Sequence, residues 1–510
     1  MNVLSAPNRF KRDVNVWVDE AIWGHRFYND QTPWLVFLEF LCIFRDRHPK
    51  GCALSESRPE GAHEEIKYRV PRLLPLRELV FNNPHIQHIE TNRRSDSEKW
   101  SEWLNQINLN GYDFSFLQYR FGKFSRFAQV VEYFQNSAIE PHRQRRWTSR
   151  FIFPHGPDCL YADLPKNPSK SPDRRFFARG GELLYLMLCR SGHGPEIAKL
   201  INRKLLQNQD PWNRVAKALL PKDYDDDKIT SHVGYLPYAE REEYKALAET
   251  WNQLLQLQLP STVLFDPLVR LSSLHMLLYM LRRAAEEIGG EKKEPRFVLE
   301  IAAPSKTMLY ELASESLQAN RMSTLRAVHA HIDSAMNGEG WRNALDARVP
   351  AVAVRDFLKD RFSWKGAPDV GDPNDIMSEL QSYAEKRHKQ HVANVHNEWT
   401  RQIGLTVSQR RAGTWYAPSD SLLKALVMCI VEDGREDYHR FLAKLYERFC
   451  IVIAAPEAER AFGSLPTDQH AFTLNSLRLE QRLRTLGLLR RLSDDCAYVL
   501  NPFRRHHDSE

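Results

Sequence analysis

The sequence predicts a mainly α protein with minor β content, divided into several domains. Three observations predict it. The chain has 510 residues, too many for one simple core and enough for roughly 2–4 domains. Hydrophobic residues make up 42% and aromatics 11%, which suffices to bury real cores. Apolar residues recur at helical spacing through most of the chain, between capped starts and glycine stops, and strand-like runs are few and short. Composition shifts divide the chain into four parts. They are an aromatic-rich region over 1–135 suited to partner docking, a basic Pro-rich connector over 136–180, a helical middle over 181–415, and a C-terminal module over 416–505.

Charged residues make up 27%, with a formal net charge of +6 and a pI near 8.8. This mildly basic balance permits nucleic acid without demanding it. The seven cysteines form no CxxC pair, and Cys189 and Cys429 sit in apolar helical runs where a thiol acts as a small hydrophobe. Such usage fits a reducing cytoplasm. The apolar run over 34–44 is too short to span a bilayer and contains Glu39, and nothing before it resembles a signal peptide. The expectation is a soluble cytoplasmic protein without membrane contact.

In chain order, Pro33 opens a helix reaching residue 43 or so, with Leu35, Leu38 and Leu41 on its apolar face. Trp17, Trp23, Phe27, Trp34, Phe37 and Phe40 are interleaved with too few cations for a base-stacking platform, so they read as core or docking surface. The connector carries Arg143, Arg145, Arg146, Arg174, Arg175 and Arg179 between prolines, and can lie along phosphates or stay solvated.

After Gly181 the helical pattern is strong. "ELLYLMLCRSG" stops at Gly192. Residues 222–228, "KDYDDDK", read as a solvated acidic turn, because no fixed ligand spacing accompanies the aspartates. Asp266 is placed as the cap and Pro267 as the first residue of a helix closed by Gly289. "RFVLEIAAPSKTMLYELASESL" reads as strand, turn, helix; Lys306-Thr307 lacks the glycine scaffold of a phosphate loop. Residues 372–402 form one polar helix on which His388, His391 and His396 do not share a face. Residues 403–418 mark a boundary.

The C-terminal module begins with a helix announced by Ser419 and Asp420, then a second with Tyr438, Phe441, Leu442, Leu445 and Phe449 on one ladder. "CIVIAA" is a buried strand, "PEAERAF" a short helix, and "NSLRLEQRLRTLG" a helix stopped by Gly487. "LLRRL" and "CAYVL" flank a Ser-Asp-Asp turn as a hairpin. The order helix, strand, helix, helix, strand, strand resembles the winged-helix variant of the helix-turn-helix family. The segment 463–474 is longer than that family's usual tight turn. Phe472, Leu479, Leu483 and Leu486 form the buried stripe of the third helix, and Asn475, Arg478, Gln481, Arg482 and Thr485 form a polar arc beside it. Arg, Asn and Gln can read base edges in a major groove, and Arg484, Arg490 and Arg491 stand ready for phosphates.

Three passages, "EAIWGHRFYNDQTPWLVFLEFL", "RRFFARGGELLYLML" and "RLRTLGLLRRLSDDCAYVLNPF", together resemble subunits of multi-gene bacterial anti-phage defence systems. That resemblance implies a non-enzymatic subunit working in a complex with an ATPase or nuclease. No catalytic residue, cofactor or metal site is expected. GxSxG elbows and dinucleotide fingerprints are absent, and His85 and His88 have no companion ligand at metal spacing. The alternatives are a metal-dependent nuclease with a diverged site, with ExK elements at 64–67 and at Glu243–Lys245, or a scaffold without nucleic-acid contact.

Overall fold

A helix of 28 residues, Ser261–Ile288, is the axis of the molecule. Its middle, residues 271–281, is buried on all sides, Ser272, Ser273 and His275 included, so there the helix is largely apolar all round instead of amphipathic. Among the described residues it alone is long and apolar enough to span a bilayer, and 83% of that apolar window lies inside the molecule. The computed structural model describes residues 3–25, 27, 28, 31–56, 65–81, 83, 85–107, 112–136, 155–161, 179–207, 210–221, 229–289, 294–301, 307–367, 371–464, 468–493 and 496–504.

The axial helix departs from the sequence expectation at its start. It begins at Ser261, with Pro267 inside it, and Asp266 pairs with Arg270 at 2.7 Å instead of capping. A proline in the second turn removes one backbone bond. The extra turn places Phe265 against Trp34 and Phe37, and that aromatic packing outweighs the lost bond.

Helices Asp19–Trp23, Pro33–Arg47, Glu242–Gln256, Met308–Asp333, Val392–Gln402, Asp420–Ile430 and Tyr438–Phe449 lie against this axis. One core therefore runs from Val16 to Val499, across the expected cuts at 135 and 181. Pro33–Arg47 starts as predicted, with Thr32 as N-cap. It crosses Gly180–Cys189 at close range. A Cβ on Gly181 would stand 2.5 Å from the Val36 carbonyl oxygen and 2.6 Å from the Phe40 nitrogen. Backbone cannot yield as a side-chain tip can, so Gly181→Ala should cost about 3 kcal/mol, read as a lower urea midpoint. An unchanged midpoint would show that the two helices are not seated this closely.

A second, smaller core gathers five helices between Leu74 and Asn136 around Trp100, Trp103, Phe124 and Phe127. It is closed from outside the region by Cys159, Tyr161, Ala216 and Leu219. The dense N-terminal aromatics thus serve these two cores and a small third one of Phe10, Val14, Trp17 and Tyr235, and Trp17, Trp23, Phe27 and Trp100 are each no more than about 5% exposed.

The strands are short. Phe297–Val298 runs parallel to Ile451–Val452, and both fall where the sequence placed strands. Lys67–Val70 pairs antiparallel with Ile229–His232. The expected boundary at 403–418 is instead an antiparallel hairpin, Thr406–Gln409 with Gly413–Tyr416. The polar helix over 372–402 is two helices, Pro373–Gln390 and Val392–Gln402, broken at His391. His388 and His396 are both fully buried. His388 joins Asp19 at 3.0 Å and Thr324 at 3.1 Å, tying three helices together.

Candidate nucleic-acid interface

Helix Gln469–Thr485 starts on Asp468, whose carboxylate accepts the His470 N–H, and ends before Gly487 at φ 71°. Phe472, Leu479 and Leu483 face inward as expected. The hairpin that follows pairs Leu489–Arg491 with Ala497–Leu500. Ala497–Leu500 also pairs with Arg435–Asp437, a strand the sequence did not announce. The sheet order puts Ala497–Leu500 in the middle. Tyr438 clamps the helix by donating its hydroxyl to the Ser476 carbonyl at 2.7 Å.

The polar arc lies partly inside. Asn475 is 2% exposed. Its Oδ1 accepts from the Ile301 N–H at 2.9 Å, and its Nδ2 donates to the carbonyls of Leu299 and Ile453, both at 2.9 Å. It therefore bridges the ends of the two parallel strands and cannot reach a base in this arrangement. Arg478 leans to Glu300 at 3.9 Å, a buried carboxylate that also accepts from Trp415 Nε1 at 3.3 Å. Arg482 pairs with Asp420 at 2.8 Å, and Arg491 with Glu480 at 3.0 Å. Three of the expected cations are thus held by the protein's own acids. Solvent-facing pairs of this kind are worth about 0–1 kcal/mol, so Arg482 and Arg491 can exchange partners at small cost. Arg478 is different, because moving it strands a buried carboxylate.

What the helix offers outward is a ridge of His470, Thr473, Leu474, Leu477, Gln481, Arg484 and Thr485. Leu474 is 39% and Leu477 42% exposed. Arg484 and Arg490 are exposed, and among the described residues neither forms an ion pair. Arg490 stands opposite Tyr498 across the hairpin, and Arg435 lies 5.4 Å over the same ring. Arg435 thereby joins the basic flank. Sequence reasoning missed it because the three-residue strand that carries it is too short to show alternation.

Arg179 does not belong to this surface. Its guanidinium reaches inward to Glu182 at 3.2 Å and to the His232 carbonyl at 3.0 Å. Arg143, Arg145, Arg146, Arg174 and Arg175 lie outside the described residues, as does the acidic run at 222–228.

Two further charged groups lie in the interior, around Glu39 and Glu243. Glu39 accepts N–H bonds from Gln31 at 2.8 Å and Gly181 at 2.7 Å, while burial and the nearby Glu182 push its carboxyl up to about 8. Glu243, in the second ExK element, is 4% exposed and forms a bidentate pair with Arg241 at 2.9 Å. Lys245 points away to Glu242 on the surface. In the first element, Glu65 pairs with Arg9 at 3.1 Å. Among the described residues no three His, Cys, Asp or Glu side chains converge as metal ligands do. No protein-family model matches the chain, and no curated protein matches it either.

Proposed function

We propose that this chain is a non-enzymatic DNA-binding adaptor subunit whose C-terminal module, a winged-helix variant, makes the contact. One observation carries the reading. The outer ridge of Gln469–Thr485 is exposed and leads at once into a strand pair that closes on Arg435–Asp437. A helix offered this way fits a major groove about 12 Å wide. Arg484, Arg490 and Arg435 flank the ridge as phosphate contacts, and Leu474 and Leu477 supply the apolar contact that thymine methyls accept. The resemblance to anti-phage defence subunits makes an ATPase or nuclease the partner to seek.

The test is fluorescence anisotropy with a labelled duplex across a salt series. Binding should fall steeply with salt, and Arg484→Ala with Arg490→Ala should weaken it roughly tenfold and lower the log–log slope by about 2. Absence of salt-dependent binding by the wild type overturns the reading. Protein docking on the same ridge is the second reading, favoured by the exposure of Leu474, Leu477 and Leu492. Co-purification with a partner that Leu477→Ser abolishes, without DNA binding, supports that one instead.

A further inference from the structure

The hairpin Thr406–Tyr416 ends in Arg410 and Arg411, between paired residues Gln409 and Gly413. Both arginines are exposed, and among the described residues neither forms an ion pair. Arg411 has φ 75°, a left-handed conformation that Gly or Asn adopts with far less strain. The tip thus presents two adjacent arginine side chains to solvent.

Two attachments fix this tip beside the C-terminal helix. The first turn of Met308–Asp333 supplies one. Tyr310 donates its hydroxyl to the Ala412 carbonyl, while the adjacent Leu309 belongs to the same small core as Phe472. Glu300 supplies the other, accepting from Trp415 and pairing with Arg478. The tip therefore lies by the Phe472 end of the helix. The Leu489–Leu500 hairpin, with Arg490, follows the opposite end. A helix of 17 residues is about 25 Å long, so cations stand at both ends of the rod.

We propose that Arg410 and Arg411 form a second phosphate-gripping element, a wing at the helix's N-terminal end that holds the backbone of duplex DNA. This inference rests on the DNA-binding reading above. Its chemistry is charge without base preference, so its loss should weaken all duplexes alike.

The experiment compares wild type, Arg410→Ala with Arg411→Asn, and Arg484→Ala with Arg490→Ala, on one labelled duplex across a salt series. Asn suits the left-handed position, so the hairpin should keep its turn, and an unchanged melting temperature checks this. The hairpin variant should bind roughly tenfold more weakly, with a log–log salt slope smaller by about 2. Arg410→Lys with Arg411→Lys should restore most of the slope. An unchanged hairpin variant beside a weakened Arg484/Arg490 variant overturns the second wing and leaves the DNA reading standing. No binding by the wild type overturns both.

Discussion

Replacing Asn475 with Ala should lower folding stability by roughly 3–6 kcal/mol. Its amide satisfies three buried backbone groups, the Ile301 N–H and the carbonyls of Leu299 and Ile453. Each orphaned buried group costs about 1–3 kcal/mol, and no other residue of the helix serves so many. Asn475→Asp keeps the acceptor and loses both donations, so it should also destabilise strongly. Urea denaturation reads the effect. Native stability combined with weakened DNA binding would show that the side chain faces a ligand and not the strand ends.

Acidification below pH 6.5 should destabilise the protein well above the carboxylate range. Burial, with Arg448 and Arg282 nearby, holds His275 down to about 3. Burial, with Arg321 nearby, does the same to His396. The unfolded chain takes up these protons near pH 6.5, and the folded chain refuses them. The contribution is therefore complete above pH 6.5 and drains away as pH falls toward 3. At pH 5 each histidine has lost about 2 kcal/mol, or about 4 together, a large share of the 5–15 kcal/mol typical of a domain. Glu39, raised to about 8, has the opposite slope: its contribution declines as pH climbs from about 4.5 to 8. Two histidines outweigh one glutamate below pH 6.5, so stability should peak near neutrality. Glu39 regains about 2 of those 4 kcal/mol between pH 6.5 and 5, so a net loss of about 2 kcal/mol should lower the melting temperature at pH 5 relative to pH 6.5, and a flat profile sinks the prediction. A double variant, His275→Gln with His396→Gln, should flatten the acid side.

Much of the helical fold was legible because caps and glycine stops act locally. Thr32 before Pro33, Ser419 before Asp420 and Gly487 after Thr485 each mark a boundary through their own chemistry. The axial helix was misread at its start because Asp266-Pro267 carries a strong local signal that distant aromatic packing overrides. Hairpin 406–416 was hidden because its strands are four residues each. At the candidate interface, periodicity found the buried stripe correctly. It could not say that Asn475 faces two strand ends, or that Glu300 and Asp420, distant in sequence, collect Arg478 and Arg482. Partners across long sequence separations leave no periodic trace.

Several of the chain's first residues find hydrogen-bond partners far along its length. Trp23 Nε1 donates to the Met280 carbonyl at 2.9 Å, Trp399 Nε1 to that of Gln31 at 2.7 Å, and the Trp17 N–H to that of Phe362. On the ribosome Trp17, Trp23 and Gln31 emerge long before these distant partners exist. At ordinary translation rates the wait is roughly 13–74 s. Nascent chains should therefore recruit holdases early, and the main body should mature only after release.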